Sequence, residues 1–270
     1  MNSAFKRTLL SSLVLPFALG AQSASAALIT DWGYDVDNKF ENFNDTGGDG
    51  EITASNDDGT LSWGVGDVPQ SSISITEVSE DSGLITNGPS VDGGTFTHTN
   101  NPLPVRGTAL TSFDLSSTLT LTPSTPAGDP LTPQSLTFEG FFNETANSAP
   151  CFAGSVSVCD DIFTLDNVDE LGGVATESGF EFASQFTLED YTYTVYLELL
   201  GLGTLSDAAC SEAGASAGCV GLITEEGTTT GFDTRFRITT AQVPEPGTLA
   251  LLGMGLAGLG LSRRRKAAKS

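Results

Sequence analysis

The sequence predicts an all-β fold: an antiparallel β-sandwich with two local disulfides, flanked by a signal peptide and a C-terminal transmembrane helix. Three observations carry this reading. Apolar and polar residues alternate in many segments of residues 27–243, which are rich in Thr and punctuated by Gly, Pro, Asn and Asp. Helical patterning between the two ends is confined to one short, Gly-interrupted window around Leu205–Ala217, so the crossover helices of a parallel sheet are missing. The ends are apolar and basic, whereas the interior is strongly acidic.

Residues 1–26 contain no acid. Lys6 and Arg7 precede an apolar run from Leu9 to Gly20, and small residues follow to Ala24-Ser25-Ala26. A basic stretch, a short apolar run and an A-x-A site describe a signal peptide cleaved between Ala26 and Ala27. Signal peptidase and the general secretion machinery are the partners this implies. The run is too short to serve comfortably as a membrane anchor.

The strands follow from period-two patterns. Leu61, Trp63 and Val65 make one short case, and Ile73 and Ile75 another. Thr118-Leu119-Thr120-Leu121-Thr122 alternates strictly, as does Phe180-Glu181-Phe182 on towards Phe186 and Leu188. Tyr191, Tyr193, Val195, Leu197 and Leu199 share one face of a long strand. Phe232, Thr234, Phe236 and Ile238 oppose Asp233, Arg235 and Arg237. Such patterns place one strand face on a core. Trp32 and Trp63 lie in apolar strand contexts and are expected inside. Asp45–Gly59 and Pro123–Pro133 read as loops, and no internal repeat is visible.

Cys151, Cys159, Cys210 and Cys219 form two local couples, with seven and eight residues between partners. Three connectivities are possible. In an exported chain disulfides are expected, and pairing within each couple is preferred. Neither couple has the C-x₂₋₄-C spacing of a zinc site or the C-x-x-C of a redox pair.

The far end reads Val243-Pro244-Glu245-Pro246-Gly247, an apolar run from Thr248 to Leu261, then Arg263, Arg264, Arg265 and Lys266. As a helix, the 16 residues Gly247–Ser262 cover roughly 24 Å, slightly less than a ~30 Å hydrocarbon core. The basic cluster holds its end in the cytoplasm. Pro244 and Pro246 keep the preceding segment extended and out of the helix.

Charge sharpens the division. The chain has 34 acidic and 11 basic residues, a net charge of −23. Seven bases sit in the two ends, so residues 27–243 keep Lys39, Arg106, Arg235 and Arg237 against 33 acids, a net −29. Nucleic acid is excluded as a partner, because phosphate binding needs a Lys/Arg surface.

Among candidate sites, the acidic N-terminal stretch that holds Asp31, Asp35, Asp37, Asp45, Asp49, Glu51, Asp57 and Asp58, with glycines between them, is the candidate for Ca²⁺, with Asp45, Asp49, Glu51, Asp57 and Asp58 as the ligands. The EF-hand template fails there: counted from Asp45, the third position is Gly47 and the twelfth Asn56. Solvated charge on β-turns is the favoured alternative, and no other cofactor is expected. Asp160, Asp161, Asp166, Asp169 and Glu170 form a second cluster, read as rim charge or an extension of a cation site. His98, the single His, sits in a Thr/Asn/Pro-rich segment read as a turn. A structural role is favoured over a general base, because no G-x-S-x-G or other nucleophile setting accompanies it.

The order Pro-Glu-Pro, apolar helix, Arg cluster, chain end resembles the PEP-CTERM sorting signal of Gram-negative bacteria, and Val243-Pro244-Glu245-Pro246 matches that motif residue by residue. The resemblance implies processing by an exosortase, removal of the helix and Arg tail, and delivery to the cell surface or exopolysaccharide matrix. It divides the chain into a signal peptide (1–26), an exported sandwich domain (27–240) and a sorting signal (241–270). Thr97-His98-Thr99-Asn100-Asn101-Pro102 further resembles a subgroup of these proteins named for a Thr-His-x-Asn motif. Asp31-Trp32-Gly33, Phe142-Asn143-Glu144-Thr145-Ala146-Asn147 and the residues around both Cys couples fit that subgroup, which carries no assigned activity. The leading expectation is a non-enzymatic, surface or biofilm-matrix protein. A Ca²⁺- or carbohydrate-binding module of the matrix is second, with exopolysaccharide as its partner, and a polysaccharide-acting enzyme is third.

Overall fold

The computed structural model describes residues 27–145, 151–152, 154–155, 159–243 and 254–256. The predicted leader, Pro244-Glu245-Pro246 and the basic cluster Arg263–Lys266 lie outside them. Among the described residues no helix is long and apolar enough to cross a membrane.

Among the described residues within 27–243, the elements run in the order β1 (Asp31–Asp45), β2 (Thr53–Ser55), β3 (Thr60–Trp63), β4 (Ser71–Ile75), β5 (Val78–Ile85), β6 (Val91–Thr99), β7 (Leu110–Thr125), β8 (Gln134–Asn143), β9 (Asp161–Leu165), β10 (Val174–Ala175), β11 (Gly179–Leu188), β12 (Tyr191–Leu200), β13 (Gly203–Thr204), α1 (Asp207–Ala213), β14 (Val220–Thr224) and β15 (Thr229–Gln242). One sheet has the order β13-β14-β9-β8-β7-β1-β5, the other β10-β11-β12-β15-β6-β4-β3-β2. Every strand pairing is antiparallel, as in β1 on β7 (Val36 opposite Leu119) and β12 on β15 (Leu197 opposite Phe236). The all-β, antiparallel expectation holds, and so does the helical window: α1 falls inside Leu205–Ala217.

The inner faces meet through aromatic side chains. The Phe96 ring lies 4.8 Å from Phe232, 4.4 Å from Phe163 and 6.2 Å from Phe40. Trp32 stands edge-on to Tyr193 at 5.1 Å. Both tryptophans are fully buried, as expected. Strand β3 stops at Trp63 because Gly64 takes φ +112°, a conformation open to glycine but not to Val65-like residues, so Val65 falls beyond the strand.

Three elements depart from the sequence reading. β1 spans the first part of the acidic stretch: Trp32, Tyr34, Val36, Asn38 and Phe40 point inward while Asp35, Asp37 and Lys39 alternate outward. His98 belongs to strand β6 and not to a turn. All five residues of β9 are buried, so alternation vanishes there. The inner face of β9 joins the core, and its outer face lies under α1, where Ile162 packs on Ala209 and Ala213.

The cysteines pair as Cys151–Cys159 and Cys210–Cys219. The second bridge ties α1 to the start of β14. Ser206 caps α1 by accepting from the Ala209 N–H, and Gly214 closes it at φ +82°.

Candidate functional site

The sandwich concentrates its buried polar groups where β6, β8 and β9 meet. In β6 Phe96 and His98 point inward and Thr97 and Thr99 point away, an alternation that Asn100 continues just past the strand, so the pleat itself carries His98 into the core. His98 is fully buried. Its ring stacks on Trp63 of β3 at 6.0 Å and stands edge-on to Phe142 of β8 at 4.8 Å. Nε2 lies 3.8 Å from Asp161 Oδ2, beyond hydrogen-bond reach, and neither ring nitrogen has a hydrogen-bond partner among the described residues. Burial alone lowers the His98 pKa to about 3, so the ring is neutral.

Asp161 opens β9 and is fully buried. Its Oδ1 accepts from the Thr145 N–H at 2.9 Å. Glu144, at the end of β8, accepts from the Trp63 indole N–H at 2.8 Å. Both carboxyls are pushed well above the ordinary range, first by burial, and in Asp161 next by the charge of Glu144. Two neighbouring carboxyls in a dry site do not both ionise, so Asp161 keeps its proton at neutral pH. Glu226, shifted upward by burial and then by Asp160, stands at the margin. Asn100, also buried, donates from Nδ2 to the Thr224 carbonyl at 3.1 Å. Thr145 Oγ1 donates to the Cys159 carbonyl, which links the cluster to the first disulfide.

The arrangement holds one proton between two carboxyls beside a neutral imidazole. Asp160 and Asp161 are interior groups, which corrects their reading as rim charge. The rest of that second cluster spreads outward: Asp166 accepts from the Ser216 N–H and hydroxyl, and Asp169 and Glu170 are exposed. Glu144 entered the sequence reading only within the stretch Phe142–Asn147; its place beside Asp161 was missed, and the one signal for it was the alternation of Phe138, Gly140 and Phe142, which sets the inner face of β8.

The acids proposed for Ca²⁺ are all exposed. Asp45 accepts from the Gly47 N–H in a local turn, and Asp49 faces Arg106 at 3.3 Å. Asp57 and Asp58 sit in a shallow depression with Asp35, Asp37, Glu77 and Lys39, in which Asp45, Asp49 and Glu51 take no part. Among the described residues no group of three or more His, Cys, Asp or Glu side chains is arranged to hold a metal ion.

The C-terminal boundary is well defined. β15 lies between β12 and β6 and pairs to its last residue, Gln242 opposite Tyr191. It thus runs two residues beyond the expected domain end at 240. The Val243 N–H then donates to the Asp190 carbonyl at 2.8 Å. The stretch that matches a known family overlaps this end: residues 242–266 match the PEP-CTERM protein-sorting motif. The motif marks an exported chain that is anchored in the membrane and then cleaved by an exosortase. No curated protein matches the chain.

Proposed function

We propose that residues 27–243 are the cargo of this sorting route: a non-enzymatic β-sandwich displayed on the cell surface or built into an exopolysaccharide or biofilm matrix. The observation that carries the reading is the position of the sorting motif, which begins at the last residue of an interior strand. An enzyme cutting just past Val243 acts directly downstream of a fold that is held by β-ladders on both sides of β15. A structural role is further supported by the closed character of the His98–Asp161 cluster. General acid–base catalysis needs a group within hydrogen-bond reach of a substrate, and His98 and Asp161 are fully buried. The Thr-His-x-Asn resemblance fits the same reading, since His98 and Asn100 serve the interior.

Mass spectrometry of the released protein tests it. The expected product begins at Ala27, ends near Pro244–Pro246 and lacks the Arg-rich tail. Replacing Pro244 and Glu245 with Ala is expected to leave the intact chain in the membrane fraction. A released product that still carries Arg263–Lys266 would sink the proposal.

A further inference from the structure

At the end of the sandwich where β11 turns into β12, the two sheets part and leave a slot of about 270 Å³. Its floor is built from buried core side chains of both sheets: Leu119 and Leu121 of β7 on one side, Phe182, Leu197 and Phe236 of β11, β12 and β15 on the other. Ser135 and Ser184 belong to its exposed rim. Aromatic contacts frame it at both ends. Phe138 meets Phe182 edge-on at 5.2 Å, and Trp32 meets Phe186 at 5.9 Å. Phe182 and Phe186 are four residues apart on one strand, a span of about 13 Å.

A concave cleft that is open at its rim and floored by core side chains of both sheets is of the mostly apolar kind that small ligands fill. Its chemistry is equally selective. None of the lining residues carries a charge, although the surrounding domain is a net −29. The charged residues next along the chain from Leu188, Glu189 and Asp190, are exposed acids, as is Asp129 beside the Leu131 rim. An anionic head group at the mouth would be repelled, whereas hydroxyl and amide side chains such as Ser135, Ser184 and Gln134 can hydrogen-bond a neutral one.

We propose that this slot binds a neutral amphiphile whose apolar body has about ten to twelve carbon atoms, a size scaled from the apolar cavity of about 150 Å³ that accommodates benzene. The acyl or alkyl chain lies between the sheets along β11, and the polar head stays at the serine rim. A surface protein with such a site would capture small lipophilic molecules outside the cell, a role separate from its sorting.

The test uses the protein as cells release it, purified without detergent. 1-Hexanol, 1-octanol, 1-decanol, 1-dodecanol and decanoate are titrated calorimetrically. The expected result is one-to-one saturable binding that tightens with chain length up to decanol or dodecanol, and at least tenfold weaker binding of decanoate. Ser184→Phe, placed on the exposed part of β11 on the same face as Phe182 and Phe186, is expected to weaken decanol binding at least tenfold without lowering the melting temperature. The absence of saturable binding, or equal affinity for decanol and decanoate, would overturn the proposal. So would displacement of decanol by a tighter-binding peptide of residues 247–261, which would assign the slot to the chain's own tail.

Discussion

Burial acts in opposite directions on the titratable groups at the centre of the sandwich. It favours the neutral form of each, so it lowers His98 and raises Asp161 and Glu144. The stability contributed by a neutral His98 is fully present above the unfolded value of 6.5 and is lost as pH falls towards about 3. The contribution of the carboxyls has the reverse sense. It is fully present below their ordinary values near 4 and is lost as pH rises through the raised values, about 7 for Glu144 and about 9 for Asp161. Thermal melts from pH 4 to 9 check both signs. His98→Phe is expected to gain on the wild type between pH 6.5 and 4, by no more than about 3 kcal/mol. Asp161→Asn is expected to gain between pH 7 and 9. Opposite slopes would show that the cluster titrates differently from this account.

At the scale of elements, β9 and α1 form one unit. β9 is buried on both faces because α1 covers the side turned away from the core, and Cys210–Cys219 fastens that cover. The loop entropy of a bridge this short contributes about 2.6 kcal/mol. The double variant Cys210→Ser with Cys219→Ser is therefore expected to lose about 2–3 kcal/mol in denaturant titration, with local exposure of β9 in hydrogen exchange. A loss below about 0.5 kcal/mol would mean that packing alone holds α1. The long strands β7, β11, β12 and β15 were legible as alternation because each has one face on the core. β9 was not, since a doubly covered strand has no polar face to reveal its period. β1 was obscured in another way: its outward residues Asp35 and Asp37 read as part of an acidic stretch.

The whole domain is governed by its charge. Of its four bases, Arg237 is already shared between Glu181 at 2.6 Å and Glu198 at 3.3 Å and lies over the Tyr196 ring, and Lys39 is held by Asp37. Most of the acids therefore repel one another without compensation. Raising NaCl from 20 to 500 mM is expected to raise the melting temperature, since added salt shortens the screening length from roughly 20 Å to under 5 Å. A fall in melting temperature over that range would refute self-repulsion as the dominant long-range term. The same charge leaves an uncharged apolar slot as the part of this surface suited to a neutral lipophilic ligand.

The sequence by itself determined the fold class, the local cysteine couples and the sorting motif at 242–266. Each depends on residues close together in the chain: a two-residue period, an eight- or nine-residue spacing, an order of Pro-Glu-Pro, apolar run and Arg cluster. Only the tertiary structure decided that Asp161 is interior, that His98 faces it across the sandwich, and that Leu119 and Phe182 part to leave a slot. These pairs lie more than 60 residues apart, and the sequence contains no signal for which strands of opposite sheets will meet. That choice is made by the packing of two complete sheets, where the register and order of all their strands act together.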